Sequence, residues 1–174
     1  MDKTHLDELI EYPNKAMQKI CESKECIALL LNKSINSITD DDVDKALDEF
    51  IYDYQYIDNT TSESSAFIWV EADVPSVSNK HIKNTKIYIT IACSKDYMAL
   101  NRKTFPGMSG NRRDNITRYI DKIMNGSDVF GIGELRLNSV VTMNSSNPKF
   151  TARQLTYVVP DFNRKEGLGE TRIC

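Results

Sequence analysis

The 174-residue sequence predicts an α+β fold, in which helices pack on a small, mainly antiparallel sheet built from two hairpins. Three observations predict it. Apolar residues recur at helical spacing in the first third of the chain, alternate at strand spacing in two later pairs of segments, and return to helical spacing between those pairs. We expect one domain over residues 1–163, with an N-terminal helical region at 1–58 and a hairpin-helix-hairpin core at 66–163.

The helical region opens the chain. One or two helices are predicted within residues 4–32, where Pro13 suits the first turn of a second helix because proline has no N–H to donate. A further helix is predicted from residue 39 to residue 54, since Thr39 and Asp42 have the spacing of a capping box. Its apolar stripe consists of Val43, Leu47, Phe50, Ile51 and Tyr54.

The first hairpin is predicted from "AFIWVEADVP" and "TKIYITIAC", joined by a long polar connection. About 18 residues follow Cys93 before the next helix, and loops of that length inside a domain are usually functional or mobile. The helix ends near Met124. The second hairpin then pairs a strand that begins near Leu135 with the segment "KFTARQLTYVVPDFN".

Three glycines, Gly126, Gly131 and Gly133, lie between that helix and the following strand. A phosphate-binding glycine loop runs from a strand into a helix, because the anion binds at the helix N-terminus. Here the order is reversed, and the glycine spacing fits neither common nucleotide-binding motif. The glycines are therefore predicted to form a structural corner, with Gly126 at the helix C-cap in the left-handed conformation.

Composition argues against several other sites. The longest apolar run, Cys26–Leu31, is far too short to cross a bilayer, so no contact with a membrane is expected. The four cysteines form no C-x-x-C pair, and both histidines lie far from them in sequence. We expect no metal, no cofactor, no catalytic residues and a reducing compartment.

Charge is unevenly distributed along a chain whose net charge is only −3. Residues 40–58 are strongly acidic, and residues 101–118 are mainly basic. These blocks are either solvated faces or complementary patches that join copies of the chain. In the second interpretation the candidate subunit interface comprises Asp41, Asp44, Arg102, Lys103, Arg112 and Arg113.

Two chemical alternatives stay open at this point. Glu71 and Asp73 lie two apart in a predicted strand and so share a face, as the carboxylates of a metal-dependent nuclease would. The arginine-rich segment around Arg112 could instead serve a DNA-binding accessory protein, although it lacks interleaved aromatic residues beyond Phe105.

Four segments taken in order resemble a known family: "FIWVEADVP", "KIYITIACSKDYMAL", "NITRYIDKIMNGSDVFGIGELRLNSV" and "KFTARQLTYVVPDFN". Over residues 66–163 they are similar to the neck proteins of tailed bacteriophages, especially tail terminator or tail completion proteins. The helical N-terminal region lies outside the resemblance, so a head-tail connector (adaptor) or head-closure protein of the same neck is the alternative.

The resemblance implies a non-enzymatic virion structural protein that is assembled in the host cytoplasm. It implies a homo-oligomeric ring, typically a hexamer, at the head-proximal end of the tail, where it joins tail to head. Its partners would be further copies of itself, the tail tube protein and the head connector, and it would meet genomic DNA only as the DNA passes through the ring. The segment at 164–174 is expected to be an extended or disordered tail.

Overall fold

The computed structural model describes residues 7–57, 60–77, 82–131 and 133–162. Within them the chain forms a mixed α+β fold of four α-helices on a five-stranded, mostly antiparallel sheet, which confirms the predicted fold class. The elements are α1 (Glu8–Cys21), α2 (Lys24–Leu31), α3 (Asp40–Glu49), β1 (Ile51–Tyr52), β2 (Ala66–Val77), β3 (Ile82–Ser94), α4 (Arg112–Met124), β4 (Arg136–Met143) and β5 (Phe150–Phe162). His5, His81, Cys174 and the predicted C-terminal tail lie outside the described residues.

The strands are ordered β1-β2-β3-β5-β4 across the sheet. Both predicted hairpins are present, β2 with β3 and β4 with β5, and the long antiparallel ladder between β3 and β5 joins them. β1 was not predicted, and it runs parallel to β2 over two residue pairs, Ile51 with Ile68 and Tyr52 with Trp69.

The sheet buries apolar side chains on both faces. On the helix side, alternate residues of the three central strands form the main core with the helices, and all are fully buried: Ile68, Val70, Ile87, Ile89, Ile91, Leu155, Tyr157 and Val159. The opposite face carries a smaller cluster of Ile57, Phe67, Trp69, Ala92, Phe150 and Ala152, which the aromatic residues Phe50, Tyr52 and Tyr56 partly cover. The four consecutive residues from Phe67 to Val70 are therefore all buried, two on each face of β2.

The prediction for the position of Pro13 was wrong. Pro13 lies inside α1 rather than in the first turn of a second helix, and the break between helices comes later, where Ser23 caps α2 by accepting a hydrogen bond from the N–H of Cys26. Burial of Pro13 together with Tyr12, Ala16 and Ile20 on one face of α1 offsets the backbone hydrogen bond that a proline cannot donate.

The helix predicted for residues 39–54 begins as expected and ends five residues early. Both hydrogen bonds of the capping box between Thr39 and Asp42 are present. The helix stops at Glu49, because Ile51 and Tyr52 pair with β2 instead, and tertiary pairing outweighs the continued helical pattern.

The two long connections are more ordered than the sequence pattern indicated. β2 and β3 continue into the polar stretch of the first hairpin and pair as far as Val77 with Lys83. The segment after Cys93 includes a short 3-10 turn, Lys95–Tyr97, and buries Phe105 in the main core. That segment is therefore held to the domain by apolar packing.

The glycine corner has the predicted helix-to-strand order. Asn125 is the C-cap residue of α4, and Gly126 follows it with a φ of 82°, in the left-handed region. The N–H of Gly126 donates to the carbonyl oxygen of Leu135 at 2.8 Å, and the N–H of Leu135 donates to that of Ser127 at 2.7 Å. These bonds tie the end of the helix to the start of the strand.

β4 differs from its predicted pattern in one respect. Leu135, Leu137, Val141 and Met143 lie an even number of residues apart in the sequence, and this spacing predicts that they share one face of the strand. The register with β5 shifts between Leu137 and Ser139, so that Leu137 lies opposite Tyr157 on the helix side while Val141 lies opposite Gln154 on the other. A bulge of this kind inserts one residue and reverses the alternation beyond it.

No helix in the described ranges has the length and apolar character needed to cross a bilayer.

Gly126 provides a test of the corner. A methyl group added at Gly126 would have no neighbour within 4 Å, so Gly126→Ala should cost only the left-handed backbone conformation, on the order of 1 kcal/mol. Gly133→Ala is the matched control, since a methyl group there also meets nothing and its φ is not in the left-handed region. Urea unfolding of both variants should show a loss of stability for Gly126→Ala alone, and equal stabilities would contradict the corner geometry.

Candidate assembly interface

The acidic half of the predicted interface lies on α3. Asp41 and Asp44 are both exposed on this helix. Asp42 between them is buried and accepts a hydrogen bond from Lys33 Nζ at 2.6 Å, which lowers the pKa of its carboxyl group. The surface therefore presents Asp41 and Asp44 to solvent, while Asp42 fixes the helix start.

The basic half is divided between surface and interior. Arg102 and Lys103 are exposed in the segment before α4, whereas Arg112 and Arg113 are buried. The expectation that all four form one surface patch is corrected here, because the first turn of α4 packs under neighbouring segments instead of facing solvent. The pairing of Asp41 and Asp44 with Arg102 and Lys103 across copies stays a prediction.

Arg112 is the largest of the side chains that are almost completely buried, with 2% exposure. Its guanidinium donates to the carbonyl oxygen of Leu29, to Asn32 Oδ1 at 2.8 Å and to the carbonyl oxygen of Tyr97 at 2.8 Å, and it stacks 3.9 Å from the centre of the Tyr97 ring. Leu29 lies in the last turn of α2, where unpaired carbonyls carry partial negative charge. Burial lowers the pKa of Arg112, but an arginine stays protonated in proteins.

Arg113 belongs to a second polar cluster, which joins α4 to the sheet. It donates to Thr151 Oγ1 at 2.6 Å and to Asp114 Oδ1 at 3.0 Å, and Arg153 on β5 contacts the same carboxylate oxygen at 2.9 Å. Burial would raise the pKa of Asp114, but hydrogen bonds from Asn111 and Arg113 and the charges of both arginines outweigh it, and the pKa is lowered.

The two carboxylates considered for a nuclease share a face as predicted, but in the described residues they are not part of a metal-ligating group. Glu71 and Asp73 are exposed on the same face of β2. In the ranges that the structure covers, no group of three or more His, Cys, Asp or Glu side chains could hold a metal ion. A pocket of about 110 Å³ beside Glu71 is lined mainly by neutral residues, among them Trp69, Thr90 and Gln154.

An exposed apolar edge is the feature that the sequence pattern did not reveal. β4 forms one edge of the sheet, and Val140, Val141 and Met143 are 45%, 45% and 38% exposed. The run from Leu137 to Met143 contains no charge and no proline, two of the devices that protect an edge strand from pairing with another chain. A third device, a bulge, is present between Leu137 and Ser139, and the strand pairs regularly beyond it as far as Met143. Val140 lies opposite Leu155 on the helix side and Val141 lies opposite Gln154 on the other, so the exposed apolar side chains of this edge lie on both faces of the sheet.

The other edge of the sheet carries aromatic residues along β1 and acidic residues, Glu71 and Asp73, farther along β2. β1 covers β2 only beside Ile68 and Trp69, and no described strand lies beside β2 beyond that point. Tyr52 stacks on Tyr56 with ring centres 4.4 Å apart, and Tyr54 is 56% exposed. The two sheet edges therefore differ in chemistry.

Comparison with known proteins gives one assignment. The model of the YomW family, a phage-type family, matches residues 8–159, and the chain belongs to this family. The match includes the N-terminal helices as well as the sheet. No curated protein matches the chain significantly.

Arg112→Met should destabilise the fold severely. The substitution retains much of the side-chain volume but leaves the carbonyls of Leu29 and Tyr97 without their donor, at a cost of about 3 kcal/mol. Arg118→Met on the exposed side of α4 is the matched control and should change stability by less than about 0.5 kcal/mol. Similar unfolding midpoints in urea for the two variants would show that Arg112 is not a structural anchor.

Asp114 should make stability depend on pH. Because its folded-state pKa is lowered, its contribution is present above about pH 4 and is lost as the pH falls through the folded-state value. The difference in unfolding free energy between the native chain and Asp114→Asn should therefore be largest near pH 6 and shrink toward pH 2. A difference that is constant over this range would contradict the assignment.

Proposed function

We propose, from the membership of the chain in a phage-type family, that it is a non-enzymatic virion structural protein of the phage neck. Within the neck, the resemblance of residues 66–163 to tail terminator proteins favours a homo-oligomeric ring, a hexamer by that resemblance, at the head-proximal end of the tail. An adaptor or head-closure protein of the same neck is the alternative role.

The observation that carries this proposal is the exposed apolar edge strand β4. A sheet edge with Val140, Val141 and Met143 exposed, and with no charge or proline between Ser139 and Met143, is suited to contact with another chain. A ring of more than two copies needs two different contact surfaces on each copy, and the two sheet edges differ in this way.

Light scattering of the purified 174-residue chain tests the assembly. We expect a particle larger than a dimer, and six times the 19.9 kDa chain mass for a hexamer. The same protein should be found at fixed stoichiometry in purified phage particles. A chain that stays monomeric at every concentration and is absent from particles would contradict the structural role.

A nuclease assay tests the enzymatic alternative. The pure protein should leave double-stranded DNA intact in the presence of Mg²⁺ or Mn²⁺. Cleavage that a chelator abolishes, and that Glu71→Gln also abolishes, would overturn the proposal in favour of a metal-dependent enzyme.

A further inference from the structure

The two edges of the sheet can be compared level by level, because the strand registers define rows that cross the whole sheet. One row runs from Tyr52 through Trp69, Thr90 and Gln154 to Val141. Residues directly opposite each other in a sheet share a face. Tyr52 at one edge and Val141 at the other therefore lie at the same level and on the same face, the one that points away from the helices.

A second row matches opposite charges. It runs from Asp73 through Lys86 and Val158 to Arg136, on the same face as the first row. Both end residues, Asp73 and Arg136, are exposed. They are separated by three strand spacings of about 4.8 Å each, so they do not meet within one chain.

We propose that β4 of one copy pairs with β1 of the next copy, with these rows kept in register, so that the sheets of neighbouring copies are continuous. This inference rests on the ring proposed above and assigns its contact surfaces. Val141 then lies beside Tyr52 of the neighbouring copy. Arg136 lies above the end of β1, where the edge of β2 is open, and reaches across that gap toward Asp73 of the neighbour.

Strand direction and register both fit this arrangement. β1 is parallel to β2, and three antiparallel pairings separate β2 from β4, so the lateral neighbour presents β4 antiparallel to β1. The apolar match and the charge match occur in the same register. A shift of two residues in one direction places Arg136 level with Pro75. A shift of two in the other direction places Arg136 level with Glu71, but it puts the polar Ser139 instead of Val141 beside Tyr52.

The contact would combine two kinds of interaction. Apolar side chains on β4 leave water against Tyr52 and Tyr54, and these contacts, together with backbone hydrogen bonds between the edges, hold the copies together. The Arg136 and Asp73 pair is exposed at the rim of the contact and mainly fixes orientation and register. Its removal should weaken assembly without unfolding the chain.

Charge reversal tests the pairing in the 174-residue chain. Arg136→Asp and Asp73→Arg should each raise the concentration needed for half-maximal assembly about tenfold, and the double variant should return it close to the native value. Arg118→Asp is the matched control, an exposed arginine on α4 away from both edges, and should leave assembly unchanged. Thermal melts should show that all four variants fold.

Cysteine cross-linking gives a second readout that does not depend on affinity. In a parent chain with Cys21→Ala and Cys174→Ser, Cys26 and Cys93 stay buried. Asp73→Cys combined with Arg136→Cys should form a ladder of multimers with a short bismaleimide, whereas either substitution alone should give none. Val141→Cys alone should also stay uncrosslinked, because copies of β4 do not meet in this arrangement.

The outcomes separate this inference from the proposed function. Assembly above a dimer that is insensitive to both reversals, with no ladder, would overturn the edge pairing and leave the ring intact. Cross-linking through Val141→Cys alone would also overturn it, in favour of a two-fold contact between β4 strands. A native chain that never assembles would overturn the ring itself.

Discussion

The fold depends on the hydrogen bonds that the buried guanidinium of Arg112 donates. Arg112 is the first residue of α4, and its donors reach the last turn of α2, the cap residue Asn32 and the backbone at Tyr97. Three segments distant in sequence are thereby held at fixed positions. The charge is balanced by carbonyl and amide oxygens and by an aromatic face, so the arrangement tolerates burial only while every one of these partners is in place.

This anchor explains why the long segment after Cys93 is ordered. The Tyr97 ring stacks on the guanidinium, and the centre of the Phe105 ring lies 5.6 Å from it while Phe105 packs into the main core. A segment of low regularity is thus fixed by two aromatic residues and by carbonyls that serve as hydrogen-bond acceptors. Arg102 and Lys103 are therefore exposed on a segment that is anchored to the main core through Phe105.

Hydrophobic periodicity in the sequence was sufficient to predict the central strands and α4, because the apolar positions of these elements are the buried ones. It was insufficient wherever tertiary pairing decided the outcome. Ile51 continues the apolar stripe of a helix in the sequence, but in the structure it pairs with Ile68. Arg112 is of a residue type that is usually exposed, but its side chain is buried. The bulge near Asn138 places Val141 and Met143 on the face away from the helices, and a register shift leaves no signature in residue types. Charge blocks therefore indicated which residues are polar, but not which of them reach solvent.

The two ends of the sheet also differ in which strands extend to them. At one end of the sheet, β2, β3 and β5 extend beyond β1 and beyond Arg136, where β4 begins. At the other end, a turn near Asn147 connects β4 to β5, and the Asn147 side chain donates a hydrogen bond to the carbonyl oxygen of Thr61. Copies joined side by side through their sheets would all point the same way, so any closed assembly of this kind would be polar. Its two rims would carry different chemistry, and each could be recognised by a different neighbour without any further asymmetry in the chain.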